Sequence, residues 1–169
     1  KRTEFLFGPD FNCVVGPNGS GKSNIIDAIT FVLGKTSAKS MRAANSANLI
    51  YNGGKTHAAA KQAEVTIVFD NSEKTFPTEE SEVKLSRIVR SDGQSKYKIN
   101  GKTRTREEML DLLSIAKINP DGHNIVLQGD IIHFCQMPTV ERRQIVEEIA
   151  GIGIYEERKQ SALRALEKV

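Results

Sequence analysis

The amino-acid sequence predicts an α/β protein with a glycine-rich loop between an apolar strand and a helix, followed by an antiparallel sheet. Three observations carry this prediction. Residues 16–23 are glycine-rich and lie between two apolar segments, tight-turn dipeptides separate three β-rich segments, and helical periodicity recurs after residue 105. Of the 169 residues, 38% are hydrophobic and 27% are charged, which excludes disordered and collagen-like chains.

The first predicted elements flank the glycine-rich loop. Residues 11–15 are apolar and are predicted to form a short strand. Residues 21–33 are predicted to form a helix, because apolar residues recur there at helical spacing, and Gly34 is a typical C-terminal stop. Residues 35–56 are polar and rich in small residues, which predicts mainly loops with at most one short helix.

The middle of the chain predicts a strand at residues 64–70, followed by an antiparallel meander of strands at residues 82–90, 95–99 and 102–104. Asp92-Gly93 and Asn100-Gly101 predict tight hairpins, because these pairs tolerate positive φ. Alternating residues of the second strand share one face, which predicts that it is half-buried: Val83, Leu85, Arg87 and Val89.

Helices dominate the predictions for the last third of the chain. Thr105 and Glu108 form a capping-box pattern that opens a helix to about Ala116. Residues 125–127 are predicted to be a buried strand or an extended segment, and residues 139–150 a helix. A final helix is predicted from residue 154, with a 4–3 apolar spacing that fits a coiled coil or an amphipathic helix: Ala162, Leu166 and Val169.

Composition excludes several classes of protein. No apolar run reaches the roughly 18 residues that span a bilayer, so no membrane partner is expected. The two cysteines are too few for a secreted disulfide framework, which favours a reducing cytoplasm. The net charge of +3 is too weak to indicate nucleic-acid binding by itself, although residues 1–63 hold 8 Lys/Arg and only 3 Asp/Glu. We expect a segment of a longer protein, because the chain starts without methionine and ends inside a helical pattern.

Residues 16–23 fit the phosphate-binding pattern G-x-x-x-x-G-K-[ST] without a mismatch. Glycines would let successive backbone N–H groups point at one centre, and the helix N-terminus would add its positive dipole end. Lys22 would bring a charge to the β- and γ-phosphates, and the Ser23 hydroxyl would hold Mg²⁺. The pattern predicts nucleotide contacts from Pro17, Asn18, Gly19, Ser20, Gly21, Lys22 and Ser23.

Hydrolysis also needs a second Mg²⁺ ligand and a group that orients water. Asp70 ends a β-rich strand, but Asn71 follows it, so we favour an ordinary strand ending in a turn. Gln128 follows the apolar residues 125–127, where it is either a ligand that offers a carbonyl oxygen to Mg²⁺ or to a water, or a solvated surface residue. No other apolar strand ends in paired acids, so the sequence predicts half of an ATPase site.

Residues 11–34 resemble the N-terminal head segment of SMC (structural maintenance of chromosomes) proteins. Further matches follow in order at residues 37–43, 97–102, 124–130, 141–143 and 147–152, and residues 118–122 look like archaeal members. The resemblance implies that residues 1–152 are the N-terminal lobe of an ABC-type ATPase head, a P-loop NTPase fold. Residues 153–169 would begin a coiled coil, and a separate C-terminal lobe would carry Walker B and the signature motif.

The same resemblance implies roles for individual residues. Lys22, Gln128 and Arg42 would be catalytic, with Gln128 as the Q-loop glutamine and Arg42 as the R-loop arginine. Asn24 matches a further nucleotide-binding position, and Ser23 and Gln128 would hold the Mg²⁺ that accompanies ATP. Two basic clusters are compatible with non-specific contacts to DNA phosphates, or with ordinary solvated loops: Lys35, Lys39 and Arg42; Lys102, Arg104 and Arg106.

The function implied by the resemblance is ATP-dependent chromosome condensation and segregation through DNA entrapment. Two heads, as a homodimer, would sandwich ATP and act with a kleisin subunit in the cytoplasm, on the nucleoid. The alternatives are a double-strand-break repair ATPase head, an ABC transporter nucleotide-binding subunit and a non-hydrolysing scaffold. Residues 37–43 and the meander disfavour the repair ATPase, and the long separation of Lys22 from Gln128 disfavours the transporter.

Overall fold

The computed structural model of the protein describes residues 2–35, 49–54, 57–120, 122, 125–127, 130–149, 163 and 166. One sheet carries two packed helices, and the elements follow the predicted order closely. The elements are α1 (Lys22–Val32), β1 (Gln62–Asp70), β2 (Glu82–Arg90), β3 (Ser95–Ile99), β4 (Lys102–Arg104), α2 (Arg106–Ile115), α3 (Asp130–Gln136) and α4 (Thr139–Ile149).

The four strands form one antiparallel sheet in the order β1-β2-β3-β4. This confirms the predicted meander. Gly93 has φ 82°, and Asn100 and Gly101 have φ 46° and 79°. Positive φ at both Asn100 and Gly101 matches the twist that a tight hairpin requires, so these dipeptides set the strand register.

One face of the sheet carries the core. Val83, Leu85 and Val89 of β2 are fully buried, as the alternation in the sequence predicts. The ends of α1 and α2 pack on this face, where Met109 and Leu113 are also fully buried. Buried apolar area is the main favourable term in folding, so this contact holds the two helices on the sheet.

A complete capping box begins α2. The Thr105 hydroxyl accepts a hydrogen bond from the Glu108 backbone N–H (3.1 Å), and the Glu108 carboxylate accepts one from the Thr105 backbone N–H (2.7 Å). The Thr105 N–H lowers the pKa of Glu108, since it stabilises the carboxylate form, and Arg104 adds to the effect. The sequence prediction of this helix start is confirmed.

The predicted strand at residues 11–15 is wrong for this structure. These residues belong to no strand, and Phe11 and Val15 are 93% and 84% exposed. A strand needs a neighbour for its backbone hydrogen bonds, and none of the described residues pairs with this segment.

The helices after residue 116 match the predictions in part. Residues 139–149 confirm the predicted helix there, whereas α3 was not predicted. The Asp130 carboxylate accepts a hydrogen bond from the Leu127 backbone N–H (2.7 Å) at the start of α3. Of the predicted final helix, the described residues Leu163 and Leu166 are helical, and the others lie outside the described residues. None of the described helices is long and apolar enough to cross a bilayer.

The α2 packing leads to a stability prediction with a control on the same helix. Leu113 is fully buried, whereas Ile115 is 52% exposed. Leu113→Ala is expected to lower the free energy of unfolding by about 2–5 kcal/mol, because it leaves a cavity. Ile115→Ala should cost less than about 1 kcal/mol, because its side chain is half in water already. Urea denaturation followed by circular dichroism measures both, and equal losses would contradict the placement of α2.

Candidate phosphate-binding site

The loop before α1 is curled at two glycines. Gly19 has φ 80° and Gly21, the N-cap of α1, has φ 89°, which is the left-handed region that glycine adopts at little cost. The Ser20 N–H donates to the Pro17 carbonyl (3.3 Å), and the Asn24 N–H donates to the Gly21 carbonyl (2.9 Å). The predicted loop-to-helix geometry is therefore present, with helix N–H groups at its open end.

Gly16 lies too close to Ser20 to carry a side chain in this conformation. A Cβ atom at this position would lie 2.8 Å from the Ser20 hydroxyl oxygen, closer than side-chain atoms pack. The start and the middle of the loop therefore approach each other so closely that a side chain at residue 16 would have to displace Ser20.

The Lys22 ammonium is folded over the loop. Its Nζ donates hydrogen bonds to the carbonyl oxygens of Gly16 (2.6 Å) and Pro17 (2.8 Å). An ammonium over a curled backbone at a helix N-terminus is a site for a phosphate chain, because all three features favour negative charge. A phosphate oxygen would replace the two carbonyls as the partner of Nζ.

The residues present also fit a Mg²⁺ ion that arrives with a nucleotide. Ser23 follows the lysine and is half-buried in the first turn of α1. Mg²⁺ usually takes one or two protein ligands and completes its shell with phosphate oxygens and water. No group of three or more His, Cys, Asp or Glu side chains that would hold a metal by itself occurs in the described residues.

The helix that carries the loop is attached to the sheet at its far end. The buried residues of α1 are Thr30, Phe31 and Val32. The Gly34 N–H donates to the Phe31 carbonyl (3.2 Å) and the Lys35 N–H to the Thr30 carbonyl (3.1 Å), the pattern of a Schellman ending. Gly34 has φ 98°, which confirms the predicted stop.

Asp70 takes no part in the loop. Its carboxylate accepts hydrogen bonds from the backbone N–H and the hydroxyl of Ser72, so it closes a turn. Phe69 packs on the core, and Asp70 therefore lies on the opposite, exposed face of the sheet. The neighbouring Asn71 is fully buried, and its amide donates to three carbonyls of the loop after β1. These contacts support the favoured interpretation of a strand that ends in a turn.

The remaining predicted site residues either make contacts away from the loop or lie outside the described residues. Arg42, Lys39 and Gln128 lie outside the described residues. In the second basic cluster, Arg104 pairs with Glu108 (3.1 Å), and the Arg106 Nε donates inward to the Gly34 carbonyl (2.8 Å). Lys102 is exposed at the edge of the sheet.

The loop is of the P-loop kind, and the fold is that of the N-terminal part of ABC-type ATPase heads. The family model for the RecF/RecN/SMC N-terminal domain matches residues 1–129. The chain is 49% identical over 168 residues to the chromosome partition protein Smc of Pyrococcus furiosus and 48% identical over 169 residues to that of Aquifex aeolicus. The chain belongs to the SMC family.

These matches cover 99% and 100% of this chain but only 14% of each relative, so the chain spans about a seventh of the curated relatives it matches. Solved SMC heads share its fold. One, from a study of ATP-driven dimerization and DNA-stimulated activation of SMC ATPases, is 52% identical with a TM-score of 0.78 and covers 85% of this chain and 86% of that one. A Pyrococcus furiosus head bound to the C-terminal domain of ScpA is 51% identical, also with a TM-score of 0.78, over 90% of this chain and 38% of that one.

The turn at Asp70 leads to a prediction about its titration. Hydrogen bonds from Ser72 lower the pKa of Asp70, because they stabilise the carboxylate. Ser72→Ala removes the hydroxyl donor and should raise the pKa of Asp70 toward its ordinary value, which an NMR titration of the side-chain carboxyl measures. Because these hydrogen bonds need the carboxylate form, the turn is expected to become less stable as the pH falls through the lowered pKa of Asp70. Its stability should not change near neutral pH.

Ser86→Ala is the matched control for that titration. The Ser86 hydroxyl shares a hydrogen bond with Thr66 on the same exposed face of the sheet. The pKa of Asp70 should not respond to its loss. An unchanged Asp70 titration in Ser72→Ala would contradict the assigned turn.

Proposed function

We propose that this chain is the ATP-binding lobe of an SMC-type ATPase head. Residues 1–152 form the lobe, and residues 153–169 begin a coiled coil. The observation that carries the proposal is the curled loop at the start of α1, with the Lys22 ammonium over its carbonyls. Membership of the SMC family supports ATP as the nucleotide.

The loop and the first turn of α1 would bind the nucleotide. Lys22 would exchange its bonds to the Gly16 and Pro17 carbonyls for phosphate oxygens, and helix N–H groups would complete the cradle. A bound Mg²⁺ ion would neutralise phosphate charge, with Ser23 and Gln128 as its protein ligands. Arg42 would lie near the nucleotide, as the R-loop arginine does in the family. The contacts come from Pro17, Asn18, Gly19, Ser20, Gly21, Lys22, Ser23 and Asn24.

Hydrolysis would require a second lobe. The described residues include no metal-binding acidic cluster, and Asp70 closes a turn on the far face of the sheet. The segment before the loop exposes apolar side chains, as expected for a surface that packs against another part of the protein: Phe5, Leu6, Phe7, Phe11, Val14 and Val15. The partner would be the C-terminal lobe of the same protein, which supplies Walker B.

The complete protein would work as a pair of heads. Each ATP would lie between two heads, and hydrolysis would separate them and move DNA held non-specifically by the coiled coils and a kleisin. The solved relatives support this proposal, since one was studied for ATP-driven dimerization and DNA stimulation, and another is bound to ScpA. The relatives' name, chromosome partition protein, supports chromosome segregation as the process, and we propose condensation with it, on the nucleoid in the cytoplasm.

The binding site is tested by removing the Lys22 ammonium from the complete protein. Lys22→Ala should weaken ATP binding about 10- to 100-fold, because a charge-assisted hydrogen bond contributes about 1.5–3 kcal/mol. Lys96→Ala is the control, since Lys96 is exposed on the sheet and its loss changes the net charge equally. Titration with a fluorescent ATP analogue gives both dissociation constants. Equal constants for the two variants would contradict the assignment of the loop.

The need for a second lobe is tested by turnover. The isolated 169-residue chain should release no phosphate from ATP above background, and adding the C-terminal lobe of the same protein should restore hydrolysis. The Lys22→Ala chain mixed with the same lobe serves as the inactive control. Turnover by the isolated chain at the rate of the mixture would overturn the half-site proposal.

A further inference from the structure

The guanidinium of Arg87 is buried at the C-terminal end of α1. Arg87 lies in the middle of β2, on the core face, and only 3% of it is exposed. Its Nη1 donates to the Phe31 carbonyl and to the Lys35 carbonyl, each at 2.9 Å. Its other nitrogens reach the Ser95 hydroxyl at 3.3–3.4 Å. A core position of a strand is thus occupied by a cation that bonds to α1, the helix that follows the phosphate loop (residues 16–23).

Two aromatic rings complete the surroundings of this guanidinium. Its central carbon lies 4.2 Å from the centroid of the Phe31 ring and 5.0 Å from that of Tyr97. Both are within the range of a cation–π contact, which is strengthened by the loss of water. Burial lowers the pKa of Arg87, Tyr97 opposes this effect, and the nearby Arg106 adds to it.

Arg106 reaches the same helix end from α2. Its Nε donates to the Gly34 carbonyl at 2.8 Å. The Phe31 carbonyl lies in the last turn of α1, and the Gly34 and Lys35 carbonyls follow directly after it. Backbone dipoles carry partial negative charge at this end of a helix, which favours contacts with cations. Two arginines from different elements therefore hold the last turn of α1, and Arg87 joins it directly to the centre of the sheet.

The phosphate loop lies at the opposite end of the same helix. Residues 22–32 form one uninterrupted helix of roughly 15 Å, and its buried residues are confined to the last turn. Because a helix transmits the position of one end to the other, the anchor at Phe31 and Lys35 sets where Lys22 and the loop amides lie. The geometry assigns Arg87 as a positioning residue for the phosphate loop, an inference that rests on the proposed function for its link to ATP.

The test uses three variants of the complete protein. Arg87→Met keeps an unbranched apolar stem but removes the guanidinium with its charge and its donors, and Arg87→Lys keeps the charge without the forked donors. Arg90→Met is the matched control, because Arg90 is exposed at the end of the same strand. Dissociation constants for a fluorescent ATP analogue are measured below the temperature at which any variant begins to unfold.

We expect Arg87→Met to weaken ATP binding about tenfold, Arg87→Lys to fall between it and the wild type, and Arg90→Met to bind normally. Hydrogen exchange followed by mass spectrometry gives a second readout without nucleotide. Exchange in Arg87→Met should quicken along the whole of residues 22–32, including the first turn, and not only at residues 30–35. Should Arg87→Met fail to fold, Arg87→Lys and Arg106→Met carry the same comparison.

Two results would overturn the assignment. Wild-type ATP affinity in folded Arg87→Met would show that the arginine only stabilises the fold, as would faster exchange confined to residues 30–35. A wild-type protein that does not bind ATP would instead contradict the proposed function. In that case the exchange pattern alone still decides whether Arg87 positions the loop.

Discussion

Phe31 and Val32, in the last turn of α1, are the residues through which the phosphate loop is attached to the rest of the molecule. Both are almost completely buried against the sheet, and Val89 of β2 packs with Phe31. The first turn of the same helix has no fully buried residue. The chain therefore separates the two tasks of α1, with packing at one end and binding groups at the other. A rigid helix is what allows the two ends to act together.

Burial of polar groups in this core depends on complete hydrogen bonding. Arg87 and Asn71 lie among apolar side chains, where an unpaired polar atom would cost free energy. No buried side-chain nitrogen or oxygen in the described part of the chain lacks a partner. Because Asn71 bonds to the loop after β1 and Arg87 bonds to the end of α1, these polar contacts specify where two irregular segments meet the sheet. Apolar contacts are non-directional and would not do so.

The segment before the loop exposes apolar side chains to water, in contrast to the core, which buries polar groups. Leu6, Phe11 and Val15 are each more than four-fifths exposed, which is unfavourable for a segment surrounded only by water. A complete ATPase head resolves this in the proposed arrangement, because the segment would gain both strand pairing and burial from a second lobe. The proposed division would also explain why the described residues offer a candidate phosphate cradle without a complete set of hydrolytic groups.

The features that the sequence predicted correctly all have local causes. The meander follows from alternating apolar residues and from Asp-Gly and Asn-Gly pairs that accept positive φ, the start of α2 from Thr105 and Glu108, and the loop from its glycines and Lys22. Periodicity also identified the buried face of β2, including Arg87, but not the partners of its guanidinium. Asp130 at the start of α3 was an available signal that sequence reasoning missed.

Features that depend on residues far apart in the chain became visible only in the folded protein, because sequence patterns report local preferences. Residues 11–15 have the composition of a strand, but pairing needs a neighbour that composition does not supply. Asp70 lies away from the loop because the core covers the other face of β1. The bonds from Arg87 to Phe31 and from Arg106 to Gly34 span more than 50 positions of sequence, and they exist because folding brings β2 and α2 to the end of α1.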